Sequence, residues 1–107
     1  MPSRRTLGEF EHLVLLAVLR QPEGMGGARI GRELEERAGR RVSRGALYSA
    51  LDRLEGKGFL TWALEDTPPE RGGHPPRRFT VTREGRQALR EYRRAIERLS
   101  VGVQGTR

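Results

Sequence analysis

Val42-Ser43-Arg44-Gly45-Ala46-Leu47-Tyr48-Ser49-Ala50-Leu51-Asp52-Arg53-Leu54-Glu55-Gly56-Lys57-Gly58 reads as one helix with both of its ends marked. Ser43 is a good N-cap, because its hydroxyl can accept from a backbone N–H that the first turn leaves unpaired. Leu47, Leu51 and Leu54 recur at i, i+4 and i+7, with Ala46 and Ala50 flanking them, so one face is apolar. Gly56 and Gly58 stop the helix. Opposite the leucines stand Gly45, Ser49 and Asp52, with Arg44, Tyr48 and Arg53 towards the flanks and Lys57 just beyond.

Two further helices precede it. The spacing predicts one from about Ala28 to Ala38, with Ile30 and Leu34 inward, Arg32, Glu33, Glu35, Glu36 and Arg37 mostly solvated, and Gly39 as C-cap. The first helix is expected to start at Thr6-Leu7-Gly8-Glu9, which has capping-box spacing, and to run to Leu19. Leu7, Phe10, Val14 and Ala17 form one stripe, and Leu13, Leu16 and Leu19 widen it. A helix apolar over so much of its girth belongs at the centre of a domain. Between the two, Pro22 to Gly27 breaks the chain. Gly24, Gly26 and Gly27 follow a helix rather than a strand, in the wrong spacing for a nucleotide-binding loop, and are read as a turn.

On the other side, Phe59 to Glu65 switches to a period of two, with Leu60, Trp62 and Leu64 on one face. Residues 66–76 hold four of the six prolines together with Gly72-Gly73, which excludes helix and central strand. Arg77 to Thr82 alternates again through Phe79 and Val81, completing a two-stranded β-hairpin. Thr82 then caps a last helix from Arg83 to about Ser100. Its apolar positions Leu89, Tyr92, Ile96, Leu99 and Val103 are spaced like a coiled-coil seam. The predicted fold is mainly α with a small β-hairpin. It is a winged helix-turn-helix over residues 6–82 followed by a long dimerisation helix over 83–100, within one domain overall.

Composition narrows the function. The chain has 107 residues, 21 Lys+Arg against 14 Asp+Glu, a formal net charge of +7 and no cysteine. Thiolate nucleophiles, disulfide scaffolds and Cys-based zinc sites are out, which fits a reducing cytoplasm. The longest apolar run, Leu13–Leu19, is seven residues, far short of the roughly 20 that span a membrane. No membrane partner is expected. No Ser-His-Asp order or carboxylate pair suggests an enzyme, and no cofactor or metal is implied; His74 has only distant His12 for company. The acids mostly alternate with arginines along helix faces, as solvated ion pairs do. The basic balance points to a polyanionic partner.

In a helix-turn-helix, the second helix of the pair presents its outer face to the major groove. Double-stranded DNA is therefore the expected partner, with Ser43, Arg44, Tyr48, Ser49, Arg53 and Lys57 as contacts, since these side chains can reach base edges or phosphates. The strip Glu70-Arg71-Gly72-Gly73-His74-Pro75-Pro76-Arg77-Arg78 suits a wing lying along the backbone or dipping into a minor groove, with Arg71, His74 and Arg77 as its contacts. A solvated helix face and a solubilising loop are the plainer alternatives. They would leave a protein-interaction module or a nonspecific architectural nucleic-acid-binding protein. The seam on the last helix has two packings open to it, against the first helix of its own chain or against its twin. The twin is preferred because Tyr92, Ile96 and Leu99 extend past the hairpin.

These stretches resemble the PadR-like transcriptional regulators. The similarity lies in Leu7-Gly8-Glu9-Phe10-Glu11 leading into Leu13-Val14-Leu15-Leu16-Ala17, and in Glu33-Leu34-Glu35-Glu36-Arg37. It is greatest in Val42–Tyr48 with Leu51–Gly58, and continues in Glu70-Arg71-Gly72-Gly73, Arg78–Thr82 and Gly85–Leu89. The resemblance implies a homodimeric repressor, released from its operator by a small-molecule effector. It also implies dimerisation through the first and last helices, putting Leu7, Phe10 and Val14 beside Leu89, Tyr92, Ile96 and Leu99. Ser43, Tyr48, Arg53 and Lys57 fall where the family's recognition helix contacts DNA, and Arg71 and Arg77 match its basic wing. The chain is similar to the short subgroup without a separate C-terminal helical domain. Two positions depart from the pattern. Met25-Gly26-Gly27 stands where an aromatic residue often precedes a glycine. Tyr92 replaces the Trp with which some members stack flat ligands, and the single tryptophan, Trp62, is read as core or wing packing.

Overall fold

The computed structural model describes residues 7–65 and 76–103. Its elements are α1 (Glu9–Leu19), β1 (Met25–Gly26), α2 (Gly27–Ala38), α3 (Arg44–Gly56), β2 (Leu60–Leu64), β3 (Arg77–Val81) and α4 (Arg83–Ser100). Among the described residues, no helix is long and apolar enough to cross a membrane.

Three of the marked helix ends form as their residues dictate. Ser43 accepts from the Ala46 N–H at 3.1 Å, and Thr82 accepts from the Gly85 N–H at 3.0 Å. Gly39 ends α2 in the left-handed conformation, φ 66°. Caps of this kind contribute about 1 kcal/mol each. The start of α1 differs from expectation: the N-cap is Gly8, and the Glu11 carboxylate accepts from the Gly8 N–H at 2.9 Å. Glycine has no side chain to return the bond, so only the acidic half of a capping box is present.

The core is built where the periodicities place it. Val14, Leu15 and Val18 of α1 are buried against Ile30 and Leu34 of α2 and Leu47, Leu51 and Leu54 of α3, with Leu89 of α4. Phe79, 1% exposed, is among the largest side chains wholly enclosed; burying one of this size is worth about 3 kcal/mol.

The sheet corrects the two-stranded expectation. It has three antiparallel strands in the order β1-β3-β2. Met25 pairs with Phe79 and Gly26 with Arg78 on one side of β3, while Leu60, Trp62 and Leu64 face Val81, Phe79 and Arg77 on the other. A two-residue strand is too short to show a period of two, so the turn reading of Gly24 to Gly27 missed it. The start of α4 is then pinned to the end of α3. Thr82 Oγ1 donates to the Gly58 carbonyl at 2.6 Å, and the Thr82 N–H donates to that of Phe59 at 3.0 Å. Gly85 is needed here, because a Cβ would strike the Phe59 carbonyl oxygen.

Candidate nucleic-acid interface

Helix α3 presents Ser43, Arg44, Gly45, Ser49 and Asp52 to solvent, as its leucine stripe requires. Nothing lies within 4 Å of a Cβ built on Gly45, so this face is open. Among the described residues Arg44 has no carboxylate partner; its guanidinium lies 5.4 Å from the Tyr48 ring centroid.

Tyr48 is half-buried and turned inward. Its hydroxyl end rests on Gly27 at the start of α2, where a Cβ would overlap the Tyr48 hydroxyl and lie 2.7 Å from Cζ. Its ring meets Phe79 edge-on, with centroids 6.4 Å apart. Arg77 of β3 approaches from the other side, its guanidinium carbon 5.4 Å from the Tyr48 centroid, 4.9 Å from Trp62 and 5.5 Å from Phe79. The structure thus brings Arg44, Tyr48 and Arg77 together at the junction of α3 and the hairpin. Trp62, 37% exposed, is wing packing.

Arg53 and Lys57 lead elsewhere. Arg53 Nε donates to Glu11 Oε2 at 3.1 Å and Lys57 Nζ to Glu11 Oε1 at 2.7 Å. Glu11 is a buried member of α1, not one of the solvated acids expected from the sequence. Burial works against its charge, but the bonds from the Gly8 N–H, Lys57 and Arg53 outweigh that and hold its carboxyl below the ordinary range. Glu33 requires the same correction. It is buried, accepts from Arg37 at 2.9 Å and from Arg29 at 3.1 Å, and forms an ion pair with Arg20 at 3.2 Å. Burial again opposes ionisation, and the hydrogen bonds from Arg37 and Arg29 keep its carboxyl low. The i, i+4 spacings to Arg29 and Arg37 were legible, but the reach of Arg20 from the end of α1 was not.

Arg71 and His74, the other wing residues, lie outside the described residues, as does Thr6. Of the seven expected dimer contacts, Leu7, Val14 and Leu89 are buried in the protomer's own core. Phe10 and Tyr92 are half-buried at its edge. Ile96 and Leu99 are exposed, followed by exposed Val101 and Val103. Among the described residues, the far half of the seam is therefore the part left exposed. Between the halves, the buried His12 packs edge-on against Tyr92 with centroids 4.2 Å apart, and its Nε2 has no partner among the described residues. Burial lowers the His12 pKa, and the charge of Arg93 lowers it further.

The sequence model of the Transcriptional regulator PadR-like family matches residues 15–91. Transcriptional regulator Rv3488 of Mycobacterium tuberculosis is 42% identical over 79 residues, covering 74% of this chain and 69% of its own. Among solved structures, RosR of H. salinarum superposes with a TM-score of 0.71 at 27% identity, over 94% of this chain and 84% of that one. Bacillus subtilis PadR in complex with operator DNA superposes with a TM-score of 0.66 at 17% identity, over 92% of this chain and 51% of that one. At that identity the likeness is one of fold.

Proposed function

Because this chain belongs to the PadR-like family of transcriptional regulators, we propose that it is a cytoplasmic, sequence-specific DNA-binding repressor that occupies a palindromic operator as a homodimer. The observation that carries this reading is the open outer face of α3, with Ser43, Arg44 and Ser49 free to meet a major groove, adjoining a basic hairpin. Residues 6–82 are the DNA-binding module, and α4 within 83–100 is the dimerisation helix. Arg71 and His74 extend the wing contacts. Arg53 and Lys57 serve phosphates from the rim while paired to Glu11. Dimerisation uses the exposed Ile96 and Leu99, with Phe10 and Tyr92 at the edge. A two-fold dimer would set two α3 helices about one turn of DNA apart. A small-molecule effector acting at the subunit contact would change that spacing and release the operator.

The test is a titration of labelled duplex from immediately upstream of the protein's own reading frame against a scrambled duplex of equal length, at about 50 and 200 mM salt. A preference for the native duplex that survives the higher salt supports the reading. Equal binding to both, abolished by salt, would favour a nonspecific nucleic-acid-binding protein.

A further inference from the structure

Beyond Phe79 and Arg78, which β1 pairs, β2 and β3 run on as a two-stranded ribbon, and such a ribbon has little rigidity of its own. Its outer described pair is Leu64 opposite Arg77, and Leu64 is exposed. At this outer pair the Arg77 side chain turns back among Trp62 of β2, Phe79 of β3 and Tyr48 of α3. Tyr48 in turn is seated on Gly27 of α2. One guanidinium thus links the wing to the recognition helix, and through Tyr48 to the helix before it. The next residue, Arg78, anchors the opposite face of the strand. It donates from Nη1 to the Gly24 carbonyl at 2.7 Å and pairs through Nε with Glu65 at 2.7 Å. Both arginines at the root of the wing are engaged by protein.

We propose that Arg77 is a positioning residue, which fixes the angle between wing and recognition helix before DNA is met, and is not a phosphate ligand. The proposal rests on the DNA-binding reading above. A planar guanidinium can stack on several ring faces at once, whereas an ammonium is a compact, strongly hydrated point charge. Arginine is therefore required here for shape as well as charge. Fixing two DNA-facing elements relative to each other favours sequences that suit both, so the stack acts on discrimination more than on overall affinity.

Trp62 is the chain's single tryptophan, so its emission reads the stack without any DNA. In Arg77→Lys, Trp62 emission is expected to shift and its quenching by acrylamide to rise. The probe for binding is a duplex that the wild-type protein enriches from a random-sequence pool, compared with its scrambled counterpart. Arg77→Lys should lower the preference between them about fivefold, with the dependence of log affinity on log salt unchanged. Trp62→Leu, which leaves the charge of Arg77 in place, should lower the preference similarly. Unchanged Trp62 emission and quenching in Arg77→Lys would overturn the proposal. So would full preference retained by both variants. A wild-type protein that enriches no duplex would remove the DNA-binding reading and this proposal together, whereas enrichment with either of the preceding results removes the proposal alone.

Discussion

Glu11 and Arg53, 42 residues apart in sequence, are joined at 3.1 Å, and the same carboxylate holds Lys57 at 2.7 Å. The pair binds the first turn of α1 to the last turn of α3. Two cations at the end of the helix proposed to face DNA are thereby neutralised in part by the domain's central helix. Arg53 is about half exposed while Glu11 is nearly wholly buried, so the pair is neither a surface ornament nor a fully desolvated one.

Glu11→Gln should therefore act on both stability and binding. It loses the charge but keeps an acceptor for the Gly8 N–H, and should cost about 2 kcal/mol in urea unfolding. It also leaves Arg53 without its carboxylate, so the slope of log affinity against log salt should steepen by about one phosphate. A slope that does not change would mean that Arg53 gains no phosphate when Glu11 loses its charge.

Gly27→Ala places a methyl group where the Tyr48 hydroxyl stands. A forced repacking of this kind costs about 1–3 kcal/mol. Tyr48→Phe removes the atom that clashes first, so the double substitution should recover part of the loss. A double-mutant cycle on unfolding free energy measures that coupling; additive costs would show that the two sites do not touch.

The exposed half of the α4 seam predicts the oligomeric state. Ile96→Glu puts a charge where the proposed dimer needs an apolar contact, and should yield monomers by sedimentation. The fold itself should be unaffected, because Ile96 is 48% exposed and outside the core. A dimer that persists would place the interface elsewhere.

Acid should lower the stability of the fold over two separate pH windows. His12 has a lowered pKa in the fold, so below about pH 6.5 the unfolded chain takes up a proton that the folded chain resists. Stability is complete above that value and declines as pH falls through the folded pKa. His12→Phe should flatten this decline in urea denaturation between about pH 7 and pH 5. Glu11 and Glu33 are lowered carboxyls. Their contribution is present above their unfolded value and lost as pH falls below about 4.5, in a separate window.

The sequence by itself determined the helices, the caps at Gly39, Ser43 and Thr82, and the hairpin, because each of these signals is complete within a few residues. The leucines of α3 recur every turn, Ser43 and Thr82 stand one residue before their helices, and Phe59–Glu65 alternates in its own right. The open face of α3 follows from the same periodicity, since burying one stripe exposes the other. Only the tertiary structure decided what the polar side chains do. Glu11 meets Lys57 across 46 residues, Arg78 meets Gly24 across 54, and β1 exists only because β3 is beside it. Local period carries no information at such separations. An arginine at a helix end or a strand root reads the same whether it will meet a phosphate, a carboxylate or a ring, and packing alone sets which is within reach.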